Sequence, residues 1–335
     1  NASSLDEEPS IETTANFTSP SGEYPITVAG GVSENYHFIH HGSILTIGET
    51  TQHIDLFAVD SNATYGDEPL QLEGSATSGL PVHYSSSDPD VLEVNGTQLK
   101  VRGAGVAVIH AHQPGDGNYF AAPDLNATVT VLTAELEAIA HEASRAYLQE
   151  NPELTFHYEG FVNDENASSL DEEPSIETPA TASSPSGEYP ITLSGGEAAN
   201  YHFVHHGSIL TIGETTQQIE LFAVDSNATY GDEPLQLEGL ASSGLAVVYS
   251  SSDPTVLEVN GTQLKVRGAG QAMIFAHQPG DGNYFGAPDL NATVVVLTAE
   301  LEAIAHDASR AYLQENPELT FHYEGFVNDE NASSL

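Results

Sequence analysis

Hydrophobic and polar residues alternate with period two along most of this chain, the spacing that puts one face of a β-strand inward and the other outward. The pattern runs through Tyr24-Pro25-Ile26-Thr27-Val28, Ile44-Leu45-Thr46-Ile47 and His53-Ile54-Asp55-Leu56-Phe57-Ala58. It returns in Val106-Ala107-Val108-Ile109-His110-Ala111-His112 and Thr128-Val129-Thr130-Val131. Turn formers separate these runs: Ser21-Gly22-Glu23, Tyr65-Gly66-Asp67-Glu68-Pro69, Ser87-Asp88-Pro89 and Pro114 through Asn118. Short strands at this spacing predict an all-β chain of sandwich modules.

Two segments allow a sharper expectation. Val91-Leu92-Glu93-Val94-Asn95-Gly96-Thr97-Gln98-Leu99-Lys100-Val101 reads as strand, Asn-Gly, strand. That predicts a two-residue type I′ hairpin with Asn95 and Gly96 in the loop. Leu92, Val94, Leu99 and Val101 then face the core, and Glu93 and Lys100 become diagonal neighbours forming an exposed ion pair. The second segment, residues 134–148, is rich in Ala, Glu and Leu, and its local propensity is helical. Leu136, Ala138 and Ala140 also satisfy alternation, however, and the expectation is a strand through about His141 followed by a turn.

The chain repeats itself with a period of 165 residues and no gap. Asn1-Ala2-Ser3-Ser4-Leu5 recurs from Asn166 and again from Asn331. The 335 residues are therefore two copies of one unit plus the first five residues of a third, and the two copies differ at 23 positions. Near-identical tandem copies suit a rod, stalk or fibre better than an enzyme.

Composition narrows the function. There are 49 acidic residues against 6 basic ones, a net charge of −43. Nucleic-acid binding needs cations to neutralise phosphate and is excluded. Anionic membrane surfaces are repelled, and no apolar run approaches the ~18 residues of a helical span. The surface reads as solvated and cation-attracting. Cysteine is absent, which removes disulfides, thiolate metal sites and cysteine nucleophiles.

Asn-x-Ser/Thr triplets occur at Asn1, Asn16, Asn62, Asn95, Asn126, Asn166, Asn227, Asn260, Asn291 and Asn331, none with Pro in the middle. Chance would give about three. Asn16 has no counterpart, because Thr181 stands in the second copy. The ten asparagines are candidate glycosylation sites and place the expected location outside the cell or on its surface.

Residues 51–133 resemble a bacterial Ig-like (Big-type) surface domain. The matching stretches are Ala63 to Leu70, Ser78-Gly79-Leu80-Pro81-Val82 with Tyr84 to Pro89, Gly103-Ala104-Gly105, and Gln113 to Tyr119 with Ala121-Ala122. The second copy keeps them, with Ala246 in place of Pro81 and Gly286 in place of Ala121. Residues 134–213 resemble an MBG-type module through Ala143-Ser144-Arg145-Ala146-Tyr147, Asn151 to Phe156 and Gly160-Phe161-Val162-Asn163. Gly187 to Thr192, Asn200-Tyr201 with Phe203, and Gly207 to Ile212 complete that match. The family usually has Gly after the first Tyr. Here it is Leu148, so a different local turn is expected. The resemblance implies extracellular structural or adhesive service and brings no catalytic residues. The module plan is then 1–50 (C-terminal part of an MBG-like module), 51–133 (Ig-like), 134–213 (MBG-like), 214–298 (Ig-like) and 299–335 (N-terminal part of an MBG-like module).

Other candidate chemistry is weak. Gly103-Ala104-Gly105 lacks the spacing of a dinucleotide or phosphate loop and reads as a bulge or turn. Asp6-Glu7-Glu8 with Glu12, and Asp164-Glu165 with Asp171-Glu172-Glu173, carry carboxylates of the kind that bind Ca²⁺ but lack EF-hand spacing. They read as solvated loops, with Ca²⁺ the one ion this surface invites. His37, His40 and His41 recur as His202, His205 and His206, and alternation puts His37 and His41 on one face. They read as surface or cross-strand packing rather than a zinc site. No catalytic residue, cofactor or metal ligand is expected.

The leading functional expectation is a structural segment of a glycosylated, acidic extracellular fibre or adhesin stalk. The alternative is a carbohydrate- or host-binding adhesion module. The repeat seam falls inside the MBG-like module, with residues 1–50 and 299–335 as complementary parts. Two readings of the seam stand: a window of a longer array, or chains joined head-to-tail by strand complementation.

Overall fold

A computed structural model of the chain describes residues 5–335. It is built of β-strands with short 3-10 turns, and no α-helix occurs among the described residues. Two compact units emerge, each assembled from discontinuous segments.

The first unit comprises residues up to Ala140 with Phe156–Ile176 and Thr192–His206. Its central sheet orders the strands Asn62–Thr64, Leu125–Leu132, Gly105–His112 and His83–Ser86. The first pair is parallel and the others antiparallel. A facing sheet orders Leu70–Gln71, Gln98–Val101 and Leu92–Asn95, and Ile54–Ala58 pairs with Glu73–Ala76. Leu92, Leu99, Ile109 and Val129 are fully buried between these strands. The alternation seen in the sequence is the burial pattern: along Gly105–His112, Ala107, Ile109 and Ala111 are inside.

The hairpin over 91–101 is present, but one residue further along than its Asn-Gly signal predicts. Asn95 pairs with Gln98, leaving Gly96 and Thr97 as the two-residue loop. Gly96, at φ +65°, holds the first loop position, as in a II′ turn. The faces are unchanged, because Leu92 opposite Val101 and Val94 opposite Leu99 keep all four on the core side. Glu93 lies directly opposite Lys100, not diagonal to it. Its ion partner is Arg102, whose Nε lies 2.7 Å from the carboxylate, and not the expected Lys100. The guanidinium fork matches a carboxylate better than an ammonium does.

Residues 134–148 form two strands, Ala134–Ala140 and Ala143–Ala146. The first is flanked on both sides, by Phe156–Glu159 antiparallel and Tyr201–His206 parallel. Two partners and an inner face of Ala134, Leu136, Ala138 and Ala140 override the helical propensity. Leu148 has φ +66°, so the turn keeps the left-handed backbone that glycine would favour. The expected change of turn does not occur. The unit also holds the antiparallel sheet of Glu7–Thr13, Gly22–Val32 and Ser43–Ile47.

The second unit, residues 141–155, 177–191 and 207–335, repeats the Ig-like arrangement 165 residues on. Leu257, Leu264, Ile274 and Val294 are among its fully buried side chains. Within this unit Ala143–Ala146 pairs in parallel with Ser208–Gly213, which pairs antiparallel with residues 187–191. The hairpin Glu302–Ala305 with Phe321–Glu324 closes the C-terminal part.

Candidate functional site

In the first unit, two tyrosines converge on one carboxylate. Tyr65 follows the strand Asn62–Thr64, and Tyr201 opens the strand Tyr201–His206. Both hydroxyls donate to Glu165, Tyr65 at 2.8 Å and Tyr201 at 2.5 Å. The rings meet edge to face, 5.7 Å between centroids. The Val162 amide donates to the Tyr201 hydroxyl at 3.1 Å. Gly66 makes room for Val162, since a Cβ there would come 2.7 Å from that side chain. Burial, reinforced by the Glu165 hydrogen bond, pushes the Tyr201 hydroxyl well above its ordinary pKa. Burial likewise raises that of Tyr65. Asn200 adds a further tie by accepting from the Ala104 amide at 2.9 Å. The hydrogen bonds of the cluster join residues far apart in the sequence, which suits it to fixing one segment against another. Its only signal in the sequence is the recurrence of Tyr65-Gly66 and Asn200-Tyr201 as module motifs.

The second unit carries the same first half. Tyr230 donates to Glu330 at 2.9 Å, and Gly231 makes room for Val327. Beside them is a cavity of about 360 Å³ lined by Tyr230, Arg267, Ala269, Leu301, Phe326 and Glu330, among others.

The sequon asparagines are all at the surface among the described residues. Asn16, Asn62, Asn95, Asn126, Asn166, Asn227, Asn260, Asn291 and Asn331 are exposed; Asn1 lies outside the described residues. Asn95 and Asn260 end the strands leading into hairpin loops. Asn166 and Asn331 cap 3-10 turns. Asn16 accepts from both the amide and the hydroxyl of Thr18, each at 2.9 Å.

Among the described residues no group of three or more His, Asp or Glu side chains converges as a metal site. His202 and His206 share a face, as alternation predicts, and meet Glu135 at 3.5 Å and Glu137 at 2.9 Å across the parallel ladder. His205 stacks on Phe203. Arg145 is buried with no carboxylate. Its guanidinium donates to Asn151 at 2.7 Å and to the carbonyls of Ala146 at 3.0 Å and Thr181 at 2.5 Å. It serves as a structural clamp.

These features define an all-β array of Ig-like sandwiches. Residues 136–211 match the model of the MBG domain (YGX type). A comparison with characterised proteins by sequence returned no match. Among solved structures, Drosophila N-cadherin EC1-4 is similar at 12% identity and TM-score 0.26, over 82% of this chain and 83% of that one. Surface layer protein SbsC, domains 1-6, is similar at 12% identity and TM-score 0.21. There 96% of this chain spans 57% of the other. The Bacteroides ovatus mixed-linkage glucan utilization locus protein SGBP-B, in complex with a mixed-linkage heptasaccharide, is similar at 11% identity and TM-score 0.20, over 79% and 74%.

Proposed function

We propose that the chain is a non-enzymatic structural segment of an acidic, glycosylated extracellular fibre or surface adhesin stalk. On this reading Ig-like modules (51–133, 214–298) alternate with MBG-like modules (134–213, and the parts at 1–50 and 299–335). The supporting observation is that all nine described sequon asparagines are exposed on strand ends, hairpins and turns of repeated sandwiches. Every one is accessible to a glycan without unfolding. Covalent glycans add mass and hydration to a surface that its charge already keeps from collapsing. The partners in this reading are further copies of the same repeat, joined head-to-tail, and the location is outside the cell or on its surface.

Intact mass spectrometry and glycopeptide mapping of the native polypeptide, with electron microscopy of the native material, test it. Glycan mass on the sequon asparagines and elongated particles with a module repeat are expected. An unglycosylated, compact native protein overturns it.

A further inference from the structure

We infer that the outer face of the four-stranded sheet in each Ig-like module is a bed for that module's own N-glycans, the sugar on Asn291 lying over Phe275 and Met273. The inference rests on the glycosylated reading above and says where four of its glycans go.

In the first module the face belongs to Asn62–Thr64, Leu125–Leu132, Gly105–His112 and His83–Ser86. In the second it belongs to Asn227–Thr229, Leu290–Leu297, Gly270–His277 and Val248–Ser251. The chain has 49 acidic residues, yet no outward position of these strands is Asp, Glu, Lys or Arg in either copy. Other strands do carry acids on exposed positions, Asp55, Glu73 and Glu135 among them. Just ahead of the face, Asp124 and Asp289 are each paired, with His112 and His277, at 2.6 Å. In place of charge the second copy exposes Val248 (50%), Met273 (38%), Val295 (36%) and Leu297 (57%). A contiguous apolar face of this kind on a soluble, strongly charged chain marks a surface that something covers.

The two copies differ on this face more than beneath it. Five of their 23 differences fall here: His83, Val106, Val108, His110 and Thr130 become Val248, Gln271, Met273, Phe275 and Val295. No inward residue of the same strands differs. None of the five changes brings in a charge. A face open only to water in so acidic a chain would accept a carboxylate as readily as it accepts Met or Gln. What does not change is the pair of sequons, Asn62 with Thr64 and Asn126 with Thr128, kept as Asn227 with Thr229 and Asn291 with Thr293.

Those sequons name the occupant. Strand alternation puts the Asn and the Thr of an Asn-x-Thr triplet on the same side of a sheet, and here that side is the outer face. Register sets their neighbours: Asn291 stands opposite Phe275, Thr293 opposite Met273, and Asn227 opposite Val295. Direct cross-strand side chains start about 5 Å apart and diagonal ones about 7–8 Å. A sugar on Asn291 therefore begins beside Phe275 and diagonal to Met273. In the first module His110 stands opposite Asn126, and its Nδ1 donates to the amide oxygen at 2.6 Å. That oxygen remains an acceptor when the nitrogen carries a sugar, so the contact survives glycosylation. A pyranose is uncharged, with C–H groups on its ring faces and hydroxyls around its edge. Its face covers Phe275 and Met273, and its edge finds the hydroxyl of Thr293 and the amide of Gln271. A carboxylate under it would lose water without gaining a partner, which accounts for the missing charge. By contrast, Asn95 and Asn260 end strands at hairpin loops and leave their glycans in solvent.

Met273 is the single methionine of the chain, so its oxidation reports on this face alone. The full-length chain carrying its glycans is treated with dilute hydrogen peroxide, and sulfoxide formation is followed by mass spectrometry. Asn291→Gln should speed the reaction about 3-fold or more, because methionine oxidation follows exposure. Asn260→Gln, which removes a hairpin glycan from the same module, should leave the rate unchanged. Circular dichroism should show both variants folded, and enzymatic removal of the glycans from the folded parent should reproduce the Asn291→Gln rate. An unchanged rate in Asn291→Gln, or an Asn291 without sugar where Asn260 carries one, overturns the inference. Protection of Met273 that persists without glycans and grows with protein concentration also overturns it, because a second copy of the chain then covers the face. Glycans present on Asn95 and Asn260 with Met273 unprotected remove this docking and leave the glycosylated stalk standing. A native protein with no glycan on any sequon removes that reading, and the docking with it.

Discussion

The Tyr201 hydroxyl donates to Glu165 at 2.5 Å, and Glu165 in turn accepts from Tyr65 at 2.8 Å, so one carboxylate ties two aromatic side chains 136 residues apart in sequence (201 − 65). Removing the hydroxyl by Tyr201→Phe keeps the ring and deletes the bond. The expected cost is about 1–3 kcal/mol by chemical denaturation, since a partly buried carboxylate oxygen loses a donor.

The same hydroxyl makes stability sensitive to alkali. Its folded pKa is raised, chiefly by burial and next by Glu165, above the ordinary value of 10.0. The unfolded chain therefore loses this proton first. The contribution is fully present below pH 10 and is lost as pH rises beyond it. Melting temperature measured from pH 8 to 11 should fall less steeply in Tyr201→Phe than in the parent.

A buried glutamine pair pins each Ig-like module. Gln52 donates to Gln113 at 2.5 Å and to the Phe120 carbonyl at 2.8 Å, and the Ser78 hydroxyl donates to Gln52. Gln217, Gln278, Phe285 and Ser243 repeat the network. Gln52→Leu strands the Phe120 carbonyl and should destabilise its own module by about 2 kcal/mol. Calorimetry should then resolve two transitions, one unshifted. A single transition moving as a whole would show that the modules unfold together.

Leu148 and Leu313 hold φ +66° and +69° in turns where a Cβ is unfavourable. The left-handed conformation costs a non-glycine residue about 1–2 kcal/mol, partly offset by the extra freedom glycine brings to the unfolded chain. Leu148→Gly should therefore leave stability unchanged or raise it by up to about 1 kcal/mol, and denaturant midpoints measure this. A loss would show that the half-exposed Leu148 side chain packs to an extent that outweighs its backbone strain.

Salt should stabilise this chain. The net charge is −43, and seven of the nine ion pairs among the described residues use histidine. Only Arg102–Glu93 and Arg267–Glu258 are permanently charged pairs. Screening therefore removes more repulsion than attraction. Melting temperature should rise between low and about 0.5 M sodium chloride, a range over which the Debye length falls from tens of ångströms to a few.

Strand facing was set by the sequence alone, because period-two alternation dictates which side chains a sheet can bury. Ala107, Ile109 and Ala111 are inside as their spacing requires, and even the helix-prone 134–140 alternates correctly. The ten sequons and the 165-residue repeat are likewise properties of sequence. What the sequence left open depended on partners distant in the chain. The hairpin settled on Gly96-Thr97 because core pairing of Leu92 with Val101 outweighed the local Asn-Gly preference. Glu93 chose Arg102 over Lys100 by the reach and geometry of the guanidinium. Near-identical segments took different states, strand at Tyr201–His206 and none at 36–41, because a strand's hydrogen bonds are satisfied only by a neighbour. No local pattern records whether that neighbour is in place, and for this reason only the tertiary structure revealed the Tyr201 cluster and its cavity counterpart beside Tyr230.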